Sequence, residues 1–308
     1  MKILILLPTW LGDTIMATPA IENLVNLHND SKITLIGSSI AIEVLKNHPK
    51  VTNTYVLDKK LLNLYQILKK LGDFDLFVSF RGSLRAGIIK FCISSKKKYK
   101  FNNKTYSNGH QVQKYNNFLN ISLNLKSIPS NLVLNYPFKN QHNNNKLLGI
   151  NPGASYGSAK QWYPAKFAKV AIELSSQYDI VILGGAGEED IGSDIETYLI
   201  KEDINNYQNL ANKTTIEELI NIISNLDLFI TGDSGPMHLA AAFQIPTVTI
   251  FGPTKDNETS QWMNKKSAIV KKNLDCQPCM RRTCPLKHHK CMKLIEASDV
   301  LSAVEKLN

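Results

Sequence analysis

Four short runs place reactive side chains directly after an apolar, β-like run, where a chain turns from a strand into a helix. In Pro8-Thr9-Trp10-Leu11-Gly12-Asp13 the reactive group is one isolated carboxylate. Asp13 can serve as a helix cap or first-turn acid, or it can take a proton from an attacking hydroxyl. Asn151-Pro152-Gly153-Ala154-Ser155-Tyr156-Gly157-Ser158-Ala159-Lys160-Gln161-Trp162 is a loop of small residues ending in a single lysine. Backbone N–H groups of such a loop can form an anion concavity, and Lys160 can neutralise a diphosphate as a point charge; a solvated loop lysine is the plainer alternative. In Gly232-Asp233-Ser234-Gly235 a turn leads to Pro236, which suits the first helical position because its missing N–H is not needed there. The amides of that helix start, at the positive end of its dipole, suit phosphate. Gly235 lets the backbone approach closely, Ser234 can cap the helix or bond a phosphate oxygen, and His238 falls in the first turn. The run lacks the G-x-G-x-x-G spacing of a dinucleotide site, so an ordinary capped turn with a core histidine fits it as well. In Leu183-Gly184-Gly185-Ala186-Gly187-Glu188-Glu189-Asp190, an acid after a strand end can accept from ribose hydroxyls, although acids at a helix start are also favoured by the dipole alone.

Three further patterns invite chemistry. Cys276-x2-Cys279-x4-Cys284-x6-Cys291, with His288 and His289 beside it, has the spacing of a zinc site. The fifth cysteine, Cys92, makes the count odd and argues against a disulfide framework. Asp73-Phe74-Asp75 matches a metal-holding D-x-D string, but it precedes a strand, and sites in α/β proteins lie at strand C-termini; it reads as a turn. Arg81 and Arg85 follow a strand and can grip acceptor carboxylates or phosphates bidentately, with surface salt bridges as the alternative.

The elements that must position these groups alternate β and α. Lys2–Leu7, Ile33–Gly37, Asn53–Leu57 and Asp75–Phe80 read as strands, and Thr14–His28, Ile40–Asn47 and Leu61–Leu71 as helices. Ser94–Gly109 reads as a polar, basic stretch. A second series begins at Leu147–Ile150 and runs through helix Ala165–Gln177, strand Ile180–Leu183, helix Thr215–Ser224, the unit Asp227–Thr254 (strand, tight turn, Ala-rich helix, strand) and strand Ala268–Lys271, to a last helix, Ala297–Leu307. Such alternation predicts α/β architecture with two Rossmann-like parallel sheets. The polar run Lys139–Lys146 reads as the linker, giving domains 1–145 and 146–308. A length of 308 residues, 43% hydrophobic and 20% charged, suits two soluble domains with real cores. No apolar run approaches the ~20 residues of a membrane span, and MKILILLPTW is too short for a signal peptide, so a cytoplasmic protein is expected. The net charge of +10 favours acidic partners; with no stacking motif or helix-turn-helix pattern, nucleic acid is not expected among them.

The string D-S-G-P-M-H-L-A-A-A followed by P-T-V-T-I-F-G-P-T resembles the nucleotide site of the bacterial lipopolysaccharide core heptosyltransferases. That resemblance runs nearly end to end, and it implies a GT-B fold, two Rossmann-like domains facing across a cleft, with the last helix crossing back to the first domain. It implies ADP-heptose as donor and an inverting transfer. Asp233, Ser234, Gly235 and His238 would then surround the ADP-sugar, with Pro236 and Met237 as further contacts. Pro-Gly-Ala…Ala-Lys-x-Trp makes Ser155 and Lys160 diphosphate-binding, Lys160 also counting as catalytic by meeting charge on the departing ADP, and Glu189 is the ribose acceptor by correspondence. Gly12-Asp13 matches the family's first turn, where the aspartate is the proposed general base. The Trp-Leu-Gly-Asp form looks more like the enzymes adding the second heptose, whose acceptor is heptosyl-Kdo-lipid A; Arg81 and Arg85 are the acceptor-binding candidates. Those enzymes carry a similar cysteine segment, so free thiols are expected, with no metal and no cofactor. The resemblance also implies transient association with the cytoplasmic face of the inner membrane, with the Lys96–Lys100 run meeting acceptor or lipid head groups. Alternatives are a first-heptose transferase, another nucleotide-sugar enzyme of the same fold such as an epimerase, and, more distantly, a basic nucleic-acid-binding protein.

Overall fold

The computed structural model describes residues 1–308 except positions 29, 137–144, 154 and 308. The chain divides into two compact units, Met1–Pro137 and Phe138–Asn308. The linker expected over Lys139–Lys146 lies, up to position 144, outside the described residues, and Lys146 already opens a strand.

The first unit runs β1 (Lys2–Leu6), α1 (Leu11–Met16), α2 (Thr18–Asn26), β2 (Lys32–Gly37), α3 (Ser39–Leu45), β3 (Val51–Val56), α4 (Leu61–Lys70), β4 (Phe74–Ser79), α5 (Leu84–Cys92), β5 (Ser95–Lys100) and α6 (Gln111–Leu123). Its sheet is parallel with order β3-β2-β1-β4-β5. β1 is central, and Ile3 to Leu6 are all buried, as a strand covered on both faces requires. The helix expected over Thr14–His28 is two helices. Pro19 has no N–H to carry the ladder across the junction at Ala17, and Thr18 Oγ1 donates to the Ile15 carbonyl at 2.7 Å instead.

β5 and α6 are among the elements that were not expected. β5 adds an edge strand where only a basic stretch was read, and its lysines suit an edge because they deter further strand pairing. α6 starts at a capping box of His110 and Gln113 and sends Tyr115 and Phe118 into an aromatic cluster with Phe80 and Phe101, where the Phe80 and Tyr115 centroids are 5.2 Å apart.

The second unit runs β6 (Lys146–Asn151), α7 (Pro164–Leu174), β7 (Tyr178–Ile182), α8 (Glu189–Lys201), β8 (Tyr207–Asn209), α9 (Ile216–Ser224), β9 (Leu228–Gly232), α10 (Gly235–Ala242), β10 (Thr247–Ile250), α11 (Asp256–Thr259), β11 (Ser267–Val270), α12 (Lys290–Lys293) and α13 (Ala297–Glu305). Its sheet, also parallel, has the order β11-β10-β9-β6-β7-β8. α13 places Val300, Ala303 and Val304 in the second unit's core beside Val248, Ile250 and Val270. Among the described residues, no helix is long and apolar enough to cross a membrane.

Candidate functional site

In an open parallel sheet a ligand crevice forms where strand order reverses, because loops from neighbouring strands leave in opposite directions. In the second unit that point lies between β6 and β9. The loop after β6 carries Lys160 and the loop after β9 carries Asp233, and the two meet: Lys160 Nζ is 2.6 Å from Asp233 Oδ2 and 3.2 Å from the Asp233 carbonyl oxygen. The pair is nearly enclosed, with 13% and 7% of its side chains exposed. Thr254 Oγ1 donates to the same carboxylate at 2.6 Å. Beneath it, Asn151 Nδ2 donates to Ser234 Oγ at 3.2 Å and to Thr231 Oγ1 at 3.3 Å, tying the two strand ends together. Ser234 is the N-cap residue of α10, yet its side chain makes no cap bond. The Ser234 side chain therefore leaves the first amides at the positive end of this helix uncapped, beside a fixed ammonium group. A diphosphate matches that pairing of backbone donors and cation.

The other expected donor residues divide. Gly235 and Pro236 are half-buried at the helix start, whereas Met237 and His238 are buried and face the interior. Ser155 is exposed. Of the two acids after β7, Glu189 is exposed and accepts from Asn212 Nδ2. Glu188 is the acid brought against the loop after β6: a Cβ on Gly153 would lie 1.9 Å from its Oε2. That oxygen accepts from the Gly185 N–H at 2.7 Å, and burial raises the carboxyl's pKa.

The cysteine segment braces this loop. The Arg282 carbonyl accepts from Ala159 N at 3.0 Å, the Met280 carbonyl accepts from Tyr156 Oη at 2.8 Å, and His289 Nε2 lies 2.9 Å from the Ala159 oxygen. Gly157, at φ +149°, passes so close that a Cβ would sit 2.4 Å from the Arg282 oxygen. Lys160 Nζ and the Arg282 guanidinium both lie over the Tyr156 ring, at 4.6 Å and 5.4 Å. None of Asn151, Thr231, Thr254, Glu188 or Arg282 was singled out in the sequence; the available signals were that Asn151 ends a strand and that Glu188 precedes Glu189.

Among the described residues, no group of three or more His, Cys, Asp or Glu side chains is placed to hold a metal ion. The Cys291 thiol is pushed up to about 11 by burial and by the neighbouring Cys284, Cys276 and Cys279. Cys92 is exposed. Iodoacetamide at pH 8 should therefore alkylate Cys92 rapidly and leave Cys291 intact until the chain unfolds, since the thiolate is the reactive form. Peptide mass mapping over time checks this, and early modification of Cys291 would contradict it.

In the first unit the order reverses between β1 and β4. Asp13 follows β1 and Arg81 follows β4, so both lie at that reversal. Trp10 is the N-cap residue of α1, and Asp13 is a half-buried acid in the first turn. It is near the buried Tyr115, and its charge, after burial itself, helps raise that hydroxyl's pKa. The Arg81 guanidinium turns inward: Nε donates to the Leu7 carbonyl at 2.5 Å and Nη2 to that of Pro8 at 3.4 Å. It thereby fixes the turn that delivers Asp13. Arg85 Nη2 donates to the Lys60 carbonyl at 3.5 Å. In Asp73-Phe74-Asp75, Asp73 accepts from Ser94 Oγ, and Asp75 accepts from Lys2 N and pairs with Lys96, all at strand N-termini.

Glycosyltransferase family 9 (heptosyltransferase) matches residues 62–290. Lipooligosaccharide heptosyltransferase 2 of Campylobacter jejuni subsp. jejuni serotype O:2 is 42% identical over 316 residues, spanning 100% of this chain and 98% of that one. The solved E. coli ADP-heptose lps heptosyltransferase II has TM-score 0.81 at 19% identity, covering 100% of this chain and 98% of that one. The E. coli heptosyltransferase WaaC, solved with ADP, has TM-score 0.79 at 14% identity and full coverage of both chains. The two structures establish the fold, GT-B, built from two Rossmann-like domains. The family match and the full-length relative establish more: this chain belongs to glycosyltransferase family 9, the heptosyltransferases.

Proposed function

We propose that this heptosyltransferase moves L-glycero-D-manno-heptose from ADP-heptose, with inversion, onto the heptosyl-Kdo inner core of lipid A, as a cytoplasmic enzyme peripheral to the inner membrane. The observation that carries the donor half is the enclosed Lys160–Asp233 pair at the start of α10. It offers one fixed cation and uncapped helix amides to a diphosphate, and it supports a nucleoside diphosphate sugar. The acceptor half rests on the full-length similarity to a relative named lipooligosaccharide heptosyltransferase 2.

In the transfer, Asp13 takes the proton of the acceptor hydroxyl while that oxygen bonds to the anomeric carbon from the face opposite ADP. The bond from that carbon to the β-phosphate oxygen breaks, and its electron pair leaves with ADP. Lys160 and the α10 amides meet the charge that develops there. Glu188, at the β7 strand end beside the loop after β6, is placed to accept from ribose hydroxyls together with or instead of Glu189. Arg85 is the acceptor-side cation, while Arg81 holds the turn carrying Asp13.

With lysine and backbone amides meeting the leaving charge, no metal cofactor is required in this scheme. Turnover in EDTA should match turnover without it. A donor panel tests the reading: ADP-heptose should be consumed, with ADP released, at least about tenfold faster than ADP-glucose or UDP-N-acetylglucosamine, a discrimination of about 1.4 kcal/mol. Faster consumption of a uridine donor, or EDTA-sensitive activity restored by a divalent ion, would contradict it.

A further inference from the structure

α5 is apolar on both sides, although only one side is packed. Ala86 and Ile89 face the core. Leu84, Ile88 and Phe91, at i, i+4 and i+7, form the opposite stripe and stand 90%, 56% and 87% exposed. A helix that is apolar all round is normally covered all round. α4 joins α5 in the same core through Leu64 and Ile67, and it exposes Leu62 and Tyr65 at 66% and 54%. Both helices follow right-handed crossovers toward the β5 edge, so they lie on one face of the sheet and their outer sides point the same way.

The border of this surface is basic. Lys98 Nζ donates to the Phe91 carbonyl at 3.4 Å, and Lys100 Nζ lies 3.6 Å from where a Cβ on Gly87 would stand. Lys69 Nζ sits 4.5 Å over the Tyr65 ring. Positions 59–104 hold twelve Lys and Arg against two Asp, a net +10 that equals the charge of the whole chain. The excess charge of the protein is therefore concentrated in the segment that exposes the apolar stripe. A second copy of the chain would bring the same charge against it and be repelled. Nucleic acid would match the lysines but leave Leu84, Ile88 and Phe91 without a partner. Anionic phospholipid matches both, with head groups for the cations and acyl chains for the stripe.

We propose that the outer face of α4 and α5 is a membrane-docking surface, which inserts Leu84, Ile88 and Phe91 into an anionic bilayer and spreads the flanking lysines over its head groups. This rests on the reading above that the enzyme works on a lipid-linked acceptor, and it names the part of the chain that meets the lipid.

Vesicle sedimentation tests it with the full chain. Vesicles of phosphatidylethanolamine and phosphatidylglycerol should pellet the wild type, and vesicles of phosphatidylcholine alone should not. Leu84→Asn combined with Phe91→Asn should weaken pelleting by about tenfold or more. Its melting temperature and its turnover of a water-soluble, delipidated acceptor should stay unchanged, because neither side chain is packed or part of the transfer machinery. A variant that pellets as well as the wild type overturns the assignment of this face. A wild type that pellets with neither vesicle overturns the surface and the peripheral location together, while turnover of the soluble acceptor reports separately on the transfer reading. Sedimentation velocity showing a wild-type dimer, a monomeric variant and no vesicle binding would assign the face to a second copy instead.

Discussion

Asp13→Asn should lower kcat by about 10²- to 10⁴-fold, the usual loss when a general base is removed. A sugar hydroxyl is a poor nucleophile, and the amide keeps the size and much of the hydrogen bonding of the carboxylate without accepting the proton. Asp13 lies at the β1/β4 reversal, on a turn fixed by Arg81. A capping role would predict otherwise, because Asn caps about as well as Asp. Here Trp10, not Asp13, is the N-cap residue. Loss of a first-turn acid should cost only about 0.3–1 kcal/mol of stability. ADP affinity should hardly change, since the residues proposed to hold ADP belong to the other unit. Steady-state rates beside thermal melts separate the roles. An Asp13→Asn enzyme retaining more than about a tenth of wild-type kcat would mean that another group is the base.

Lys160→Ala should act twice. It leaves the enclosed Asp233 carboxylate without its cation, a change that typically costs about 3–5 kcal/mol of stability. It should also weaken ADP binding by about 1.5–3 kcal/mol, the scale of a charged hydrogen bond. A second variant separates the effects. Lys160→Met with Asp233→Asn removes both charges, and replacing a whole buried pair is far milder than breaking it, so melting should recover toward wild type while ADP affinity, measured by calorimetry, stays low. Recovery of both would make the lysine a structural partner of Asp233 and no more. Unchanged ADP affinity in the single variant would remove Lys160 from the site.

What the sequence could reveal followed the range of its signals. Buried parallel strands such as Lys2–Leu6 and Leu228–Gly232 announce themselves as apolar runs closed by turn residues, so the two-sheet α/β architecture was readable. β5 was not, because Ser-Lys-Lys-Lys-Tyr-Lys has no apolar alternation, and it becomes a strand only because β4 offers an edge. Lys160 and Asp233 were each readable as site residues from local turn chemistry. Their pairing across 73 positions depends on β6 lying beside β9, which no local pattern encodes. Glu188 and Glu189 share a helix start, and spacing cannot say which of them faces Gly153. The cysteine segment's other role was not legible in its spacing: its backbone braces the Lys160 loop through Met280 and Arg282. The outer stripe of α5 was not legible, because no helix was read over Leu84–Cys92 and helical spacing alone does not say which side is packed.

Mass spectrometry of the acceptor tests most directly the transfer of one heptose from ADP-heptose to a heptose-bearing acceptor. Purified enzyme would be incubated with ADP-heptose and either Kdo-lipid A or heptosyl-Kdo-lipid A. Heptosyl-Kdo-lipid A should gain the mass of one heptose residue, with Kdo-lipid A unchanged. A gain on Kdo-lipid A with none on heptosyl-Kdo-lipid A would contradict the assignment of the second heptose, and no gain on either while ADP-heptose is still consumed would contradict the acceptor altogether.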